Sequence, residues 1–234
     1  MKAIITGASS GIGLAISKSL SASGWEIASA TRSELKATEL ISNLKSLHPK
    51  GVEPIIKVAD LTIQAELESF IENVKSKWGC PDLIICNAGI YTTDNPSEIT
   101  REKLLSQLEI NAFQAIRLCN EWVSNMKSRN RGSIIFIGSI INIYPRTSAA
   151  TYTLSKNLLN GYSKMLFDEL RDTDIKITRI QPGSVATPSF DSEVAPLENF
   201  VKPEDIASAV SWILNLPATT QIEELIIRPN DKNW

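Results

Sequence analysis

A single histidine, His48, stands in the chain's 234 residues, and its isolation removes two chemistries at once. A Ser-His-Asp triad needs an imidazole base beside its nucleophile, and zinc sites commonly draw on several imidazoles. Neither reading suits this sequence. Cysteine is nearly as scarce: Cys80, Cys86 and Cys119 are odd in number and form no Cys-x-x-Cys pair, which points to a reducing compartment rather than a disulfide scaffold. No apolar run approaches the roughly 18 residues that span a bilayer. The opening Met1-Lys2-Ala3-Ile4-Ile5 is too short for the apolar core of a secretory signal and runs straight into a glycine turn. The formal charge is only −2 and the lysines and arginines are scattered, so no basic footprint for nucleic acid exists. Internal repeats, low-complexity tracts and Pro/Gly/Ser linkers are missing too. The expectation is a cytoplasmic protein with no metal, no membrane and no nucleic acid among its partners.

What is present is alternation. Ala3–Ile5, Glu26–Ala30, Pro54–Val58, Leu83–Cys86, Ser133–Ile137, Ile175–Ile180 and Ile222–Ile227 are short apolar runs, most of them β-branched, that read as buried strands. Between them lie helical patterns over Gly11–Ser23, Ser33–Leu47, Ile63–Trp78, Arg101–Arg129, Ala150–Arg171 and Pro203–Leu214. Thr62 and Thr100 suit helix caps, and Pro203 suits a first helical turn. Such alternation demands right-handed crossovers and a parallel sheet covered on both faces. The fold class is therefore α/β, with residues 1–234 forming one doubly wound, Rossmann-type domain of about seven strands. The segment 188–202 carries two prolines and no clean period; beyond a strand in the second half of the sheet it reads as a short substrate lid.

Chemistry gathers at a few landmarks. Thr6-Gly7-Ala8-Ser9-Ser10-Gly11-Ile12-Gly13 follows a strand and opens a helix, so its glycines give a tight turn and its amides meet a pyrophosphate. At the end of the second strand no acid appears before Glu34, while Arg32 offers a planar fork suited to a 2′-phosphate; this favours NADP(H) over NAD(H). Tyr152 and Lys156, four apart on a helix, share a face. An ammonium within about 4 Å offers roughly 4 kcal/mol at intermediate dielectric, enough to lower a phenol pKa by up to ~3 units. Ser139 ends a strand thirteen residues upstream, where its hydroxyl can hold a substrate carbonyl. Asn111 sits in a helical pattern for which it is a poor former. Asn87-Ala88-Gly89 ends the fourth strand and Pro182-Gly183 the sixth.

Together these motifs resemble the short-chain dehydrogenase/reductase family, over nearly the whole chain. The resemblance implies an NADP-dependent oxidoreductase interconverting a carbonyl and a secondary alcohol, with Asn111, Ser139, Tyr152 and Lys156 as a catalytic tetrad. It assigns cofactor contacts to Gly7, Ser9, Ser10, Gly11, Ile12, Gly13, Arg32, Asp60, Leu61, Asn87, Ala88, Gly89, Tyr152, Lys156, Pro182, Gly183, Val185 and Thr187. Asp60 and Leu61 would serve the adenine, and Pro182, Gly183 and Thr187 the nicotinamide carboxamide. Asn111 would hold a water leading to Lys156. Pairing of helices through Leu105, Leu108, Phe113, Leu158, Met165 and Phe167 would give a homodimer or homotetramer. Tyr91–Glu98, Ile140–Arg146 and Pro188–Lys202 would line the substrate pocket, with Ile140, Ile141, Ile143, Tyr144 and Phe190 giving it an apolar tone and Arg146 a possible anion anchor. The final Ile226-Ile227-Arg228-Pro229 lacks the glycine pair of many 3-oxoacyl carrier reductases. The leading substrate is a 3-oxoacyl or 3-hydroxy acid compound. The alternatives are a general carbonyl reductase, a pterin reductase recruiting Asn142, Asp191 and Glu193, and a non-enzymatic NADPH-binding sensor or scaffold.

Overall fold

Seven parallel strands lie in the order β3-β2-β1-β4-β5-β6-β7 in a computed structural model that describes residues 1–188 and 196–230. The strands are β1 (Lys2–Ile5), β2 (Glu26–Thr31), β3 (Ile55–Val58), β4 (Leu83–Cys86), β5 (Gly132–Ile137), β6 (Ile175–Pro182) and β7 (Glu224–Ile227). The helices are α1 (Gly11–Ala22), α2 (Glu34–Leu47), α3 (Gln64–Trp78), α4 (Arg101–Leu108), α5 (Gln114–Ser128), α6 (Ala150–Glu169) and α7 (Pro203–Leu214). Every pairing is parallel, as short apolar strands joined by helices require.

The helices divide between two faces. Ile16, Leu20, Leu40, Leu44, Ile206 and Val210 of α1, α2 and α7 pack on one side with Ile5, Ile27 and Ile85. Leu67, Phe70, Leu118, Trp122, Leu159 and Leu166 of α3, α5 and α6 pack on the other with Ile4, Ile84 and Phe136. Alternate residues of each central strand thus feed opposite cores, which is why those strands are apolar throughout.

The chain changes sides between β1 and β4, and the backbone groups released there are tied by two polar side chains. Thr6 Oγ1 accepts from the amides of Asn87 (3.0 Å) and Ala88 (2.9 Å). Asn87 Nδ2 donates to the Thr6 carbonyl at 2.9 Å.

Two expectations about helices need correction. Arg101–Arg129 is not one regular helix: a π turn over Glu109–Phe113 separates α4 from α5. Asn111 lies inside it, where a wider turn accommodates a buried polar residue that a regular helix tolerates poorly. Thr62 does not cap α3; its amide and hydroxyl both turn back to Asp60 Oδ1, at 3.0 and 2.7 Å. Thr100 does cap α4, accepting from the Lys103 amide, and Pro203 opens α7.

Asn87→Ala should lower unfolding free energy by about 1–3 kcal/mol, because the Thr6 carbonyl loses its side-chain donor in a largely dry place. Urea denaturation followed by circular dichroism measures this, and an unchanged midpoint would reject the role given to Asn87.

Candidate active site

A cleft of about 720 Å³ runs over the carboxyl ends of the strands. One end is the glycine turn. Gly7 has φ +68°, and a Cβ there would stand 2.9 Å from Asn87 Nδ2. A Cβ on Gly13 would stand 2.2 Å from the Gly7 carbonyl oxygen, so α1 can start this close to β1 only without side chains. Ser10 at the start of α1 makes no side-chain capping bond, and no acidic residue occupies the first turn. That combination leaves the first-turn amides for an anion. Ser9, Ser10, Gly11 and Ile12 line the cleft, whereas Gly13 is buried behind it.

Farther along, Arg32 leaves the end of β2 with its side chain 73% exposed, and its Nη1 lies 3.8 Å from Asp60 Oδ2. Residues with separate expected tasks thus already face one another. Burial alone would raise the Asp60 carboxyl, but hydrogen bonds from Thr62 and the Arg32 charge together hold it below its ordinary range. Leu61 lines the same wall. Lys36 and Ser33 line it as well, and they were missed from sequence. The signal was there: Ser33 caps α2, accepting from the Lys36 amide at 3.3 Å, which places Lys36 in the first turn beside Arg32.

Asn87, Ala88, Gly89, Ile90 and Tyr91 form the floor toward the other end, where Ser139, Tyr152 and Lys156 meet. Ser139 lies close enough to the Tyr152 phenol to favour its ionised form. The Tyr91 ring stands nearly edge-on to that of Tyr152, centroids 5.1 Å apart at 77°. Lys156 Nζ donates to the Ile137 carbonyl at 3.1 Å and lies 5.8 Å from the Tyr152 ring centroid. Burial pushes the phenol up to about 12, with Ser139 opposing and Tyr91 adding to the rise. Burial pushes Lys156 down to about 8, with Cys86 acting the other way. The expected lowering of the Tyr152 pKa by Lys156 is therefore not what this arrangement gives. Desolvation sets the phenol, and the lysine donates to the Ile137 carbonyl instead.

Asn111 is buried behind Gly89 rather than lining the cleft. Its Oδ1 accepts from the Ile90 amide at 2.8 Å, and its Nδ2 donates toward Gln107 Oε1 (2.8 Å), Ser155 Oγ (2.9 Å) and the Ile90 carbonyl (3.1 Å). The side chain is thereby committed to holding the Gly89–Ile90 backbone. Gln107 and Ser155, both buried, are supporting residues that sequence reading did not find.

Pro182, Gly183, Val185, Thr187 and Pro188 form the opposite wall. Thr187 packs beside the glycine turn, its Cγ2 3.1 Å from where a Gly11 Cβ would be. Of the expected lid, Phe190, Asp191 and Glu193 lie outside the described residues. Its far end is packed down, since the Val201 amide donates to the Ser184 carbonyl at 3.1 Å. Ile141 is buried, while Ile143, Tyr144 and Arg146 are exposed; Arg146 does not line the cleft. The anion anchor expected there is thus not part of the described cavity. Among the described residues there is no cluster of metal-binding side chains and no helix long and apolar enough to cross a membrane.

Known proteins place this geometry. A short chain dehydrogenase family model matches residues 1–197. An uncharacterized oxidoreductase of Staphylococcus saprophyticus is 27% identical over 227 residues, covering 97% of this chain and 96% of its own. Among solved structures, an alcohol dehydrogenase of the archaeon Thermococcus sibiricus complexed with 5-hydroxy-NADP superposes with TM-score 0.87 at 26% identity, covering 98% of this chain and 96% of that one. The closed form of a serine dehydrogenase complexed with NADP+ gives TM-score 0.87 at 25% identity, covering 98% and 95%. With a seven-stranded parallel sheet, a glycine turn at the end of β1 and a tyrosine–lysine pair on α6, this chain belongs to the short-chain dehydrogenase/reductase family of oxidoreductases.

Proposed function

We propose that the protein is an NADP(H)-dependent oxidoreductase that interconverts a carbonyl and a secondary alcohol, with small 3-oxo or 3-hydroxy acids as its substrate class. The observation carrying this is the Tyr152 phenol, beside Ser139 at one end of a cleft whose other end offers Arg32 and Lys36. The cleft fits the cofactor on its own features: a glycine cradle that a Cβ would fill, uncapped amides at α1, and two cations where a 2′-phosphate would rest. When bound, the cofactor supplies or accepts the hydride.

The protein's own residues handle the rest. Ser139 orients the substrate oxygen, and Tyr152 gives it a proton. A phenol pushed up to about 12 keeps its proton at neutral pH, so Tyr152 is loaded as an acid. Lys156, whose ammonium lies 5.8 Å from the phenol ring centroid, would hold the nicotinamide ribose. Asn111 fixes Gly89 and Ile90 along the cofactor's path.

The serine dehydrogenase likeness supports the 3-hydroxy acid skeleton alone, because serine carries its hydroxyl, a primary one, on the carbon next but one to its carboxyl group. No observation favours a pterin or a sensor role: Asn142 does not line the cleft and its Nδ2 donates to Gln181, and the other two recruits lie outside the described residues. Exposed Leu105, Leu154 and Met165 on α4 and α6 support a homodimer or homotetramer, whereas Leu158 and Phe167 pack on the protein's own core.

Tyr152→Phe should lose about 10²-fold or more in turnover with NADPH binding retained. Rates on acetoacetyl esters and 3-hydroxy acids report it, and wild-type turnover in the variant would defeat the assignment. NADPH should bind more tightly than NADH. Arg32→Ala and Lys36→Ala should each cost about fivefold to tenfold in NADPH affinity and little in NADH affinity, exposed charges being partly screened. Fluorescence titration with both cofactors decides this; equal affinities in the wild type would overturn the preference.

Lys156 supplies a stability test. Its folded pKa, near 8, lies below the ordinary 10.5, so between those values the unfolded chain holds the proton more firmly. Stability from this group therefore rises with pH across that window, and below it the buried charge is a net cost. Lys156→Met, assayed without added cofactor, should melt higher than wild type at pH 7, with the gap narrowing from pH 8 toward 10.5. A gap that does not change with pH would show that Lys156 is not held at the cost of its charge.

A further inference from the structure

Directly before Pro182, on the last turns of β6, Gln181 is 1% exposed and has no place in the cofactor or proton chemistry above. Its amide is nevertheless fully engaged. Oε1 accepts from the Ser139 backbone amide at 2.8 Å and from Asn142 Nδ2 at 2.9 Å. Nε2 donates to Glu224 Oε1 at 3.0 Å and Asn160 Oδ1 at 3.1 Å.

The Ser139 N–H, which only donates, and Glu224 together fix which way the amide points. A carboxylate only accepts, so it must face the –NH₂ group, and the carbonyl oxygen is then turned toward Ser139. Arg179, buried on β6 with its Nε 3.6 Å from Glu224 Oε1, keeps that carboxylate in place. The fit is close: a Cβ on Gly138 would lie 2.2 Å from Gln181 Oε1, so any larger residue there would displace this amide. The network therefore runs from the edge strand β7 to the residue that holds the substrate oxygen.

We propose that Gln181 is a positioning residue for Ser139, oriented by Glu224. It sets the direction of the Ser139 backbone at the end of β5, and through it the hydroxyl that meets Tyr152 and the substrate. This rests on the carbonyl–alcohol reading of the site. Gln181 does not line the cleft, so its loss acts on turnover rather than on cofactor binding.

Four variants test it in the full chain, using the best carbonyl substrate from a panel. Gln181→Met keeps the bulk and removes all four bonds; kcat should fall about tenfold or more, as loss of buried hydrogen bonds around one amide predicts, with NADPH affinity within about twofold of wild type. Gln181→Glu keeps the acceptor for Ser139 but sets a second carboxylate against Glu224, and should fall comparably. Glu224→Gln alone should stay within about threefold, since its remaining oxygen still accepts from Gln181. The double variant Gln181→Glu with Glu224→Gln restores a donor facing an acceptor, and should recover to within about threefold of wild type, a non-additive result that packing alone would not give. If Gln181→Met fails to fold, the charge-reversed pair still decides. Wild-type kcat in a folded Gln181→Met, or a double variant no better than Gln181→Glu while both bind NADPH, would overturn the inference. A wild-type enzyme that turns over no carbonyl in the panel would instead remove the functional reading, and this inference with it.

Discussion

Where β1 and β4 part company, the chain's crossovers pass to opposite faces of the sheet and a seam opens between two strand ends. Thr6 and Asn87 close that seam with three hydrogen bonds across it. Almost everything at the site is measured from this point. The glycine turn springs from β1, and α1 is pressed so near that Gly13 has no room for a side chain. Gly89 and Ile90 continue from β4 and receive Asn111 from the π turn. Parallel strands with crossovers on both faces make such a crevice unavoidable, and ligands settle there. What this sequence adds is a polar clasp that keeps the crevice open at a fixed width.

The site is also where the fold gives up stability. A buried lysine and a half-buried phenol lie in adjacent turns of α6, and each is driven toward its neutral form. Around them several polar side chains are fully engaged: Asn111 holds a loop, Gln181 a strand end, and Asp94 accepts from the Thr151 amide at 3.0 Å at the start of the helix that carries Tyr152. Satisfied amides in a dry place are rigid. The two reacting groups are thereby held in poor solvent by neighbours that have no freedom to relax around them, the condition under which fixed dipoles act most strongly on developing charge.

Much of this could be read from the residues. Strand identities came through because the central strands feed two cores and are apolar without interruption; β1, β2 and β4 lie within a residue of where composition places them. The glycine turn, Asn87-Ala88-Gly89, Ser139 and the tyrosine–lysine pair were visible as local patterns and meet in one cleft. What failed to show had a common cause: it depended on distant residues. Arg32 and Asp60 face each other across two strand ends. The Lys156 ammonium is bonded to a strand carbonyl nineteen positions away. Arg146 lay at a plausible distance along the chain yet is turned to the surface. Sequence spacing reports neighbours on one element; it is silent on desolvation, which here sets both pKa values.

The π turn between α4 and α5 carries a consequence for how this segment tolerates change. One such turn holds a residue more than a regular helix would, so the apolar stripe of α5 is set out of phase with that of α4 by about 100°. Losing a single residue within Glu109–Phe113 would let the two helices fuse into a smooth rod, a locally better structure. The same deletion would rotate one half against the other, withdrawing either Asn111 from Ile90 or Leu118 and Trp122 from the core. The length of this stretch is therefore locked by two demands at once, the reach of Asn111 to Ile90 and the seating of α5 on the sheet.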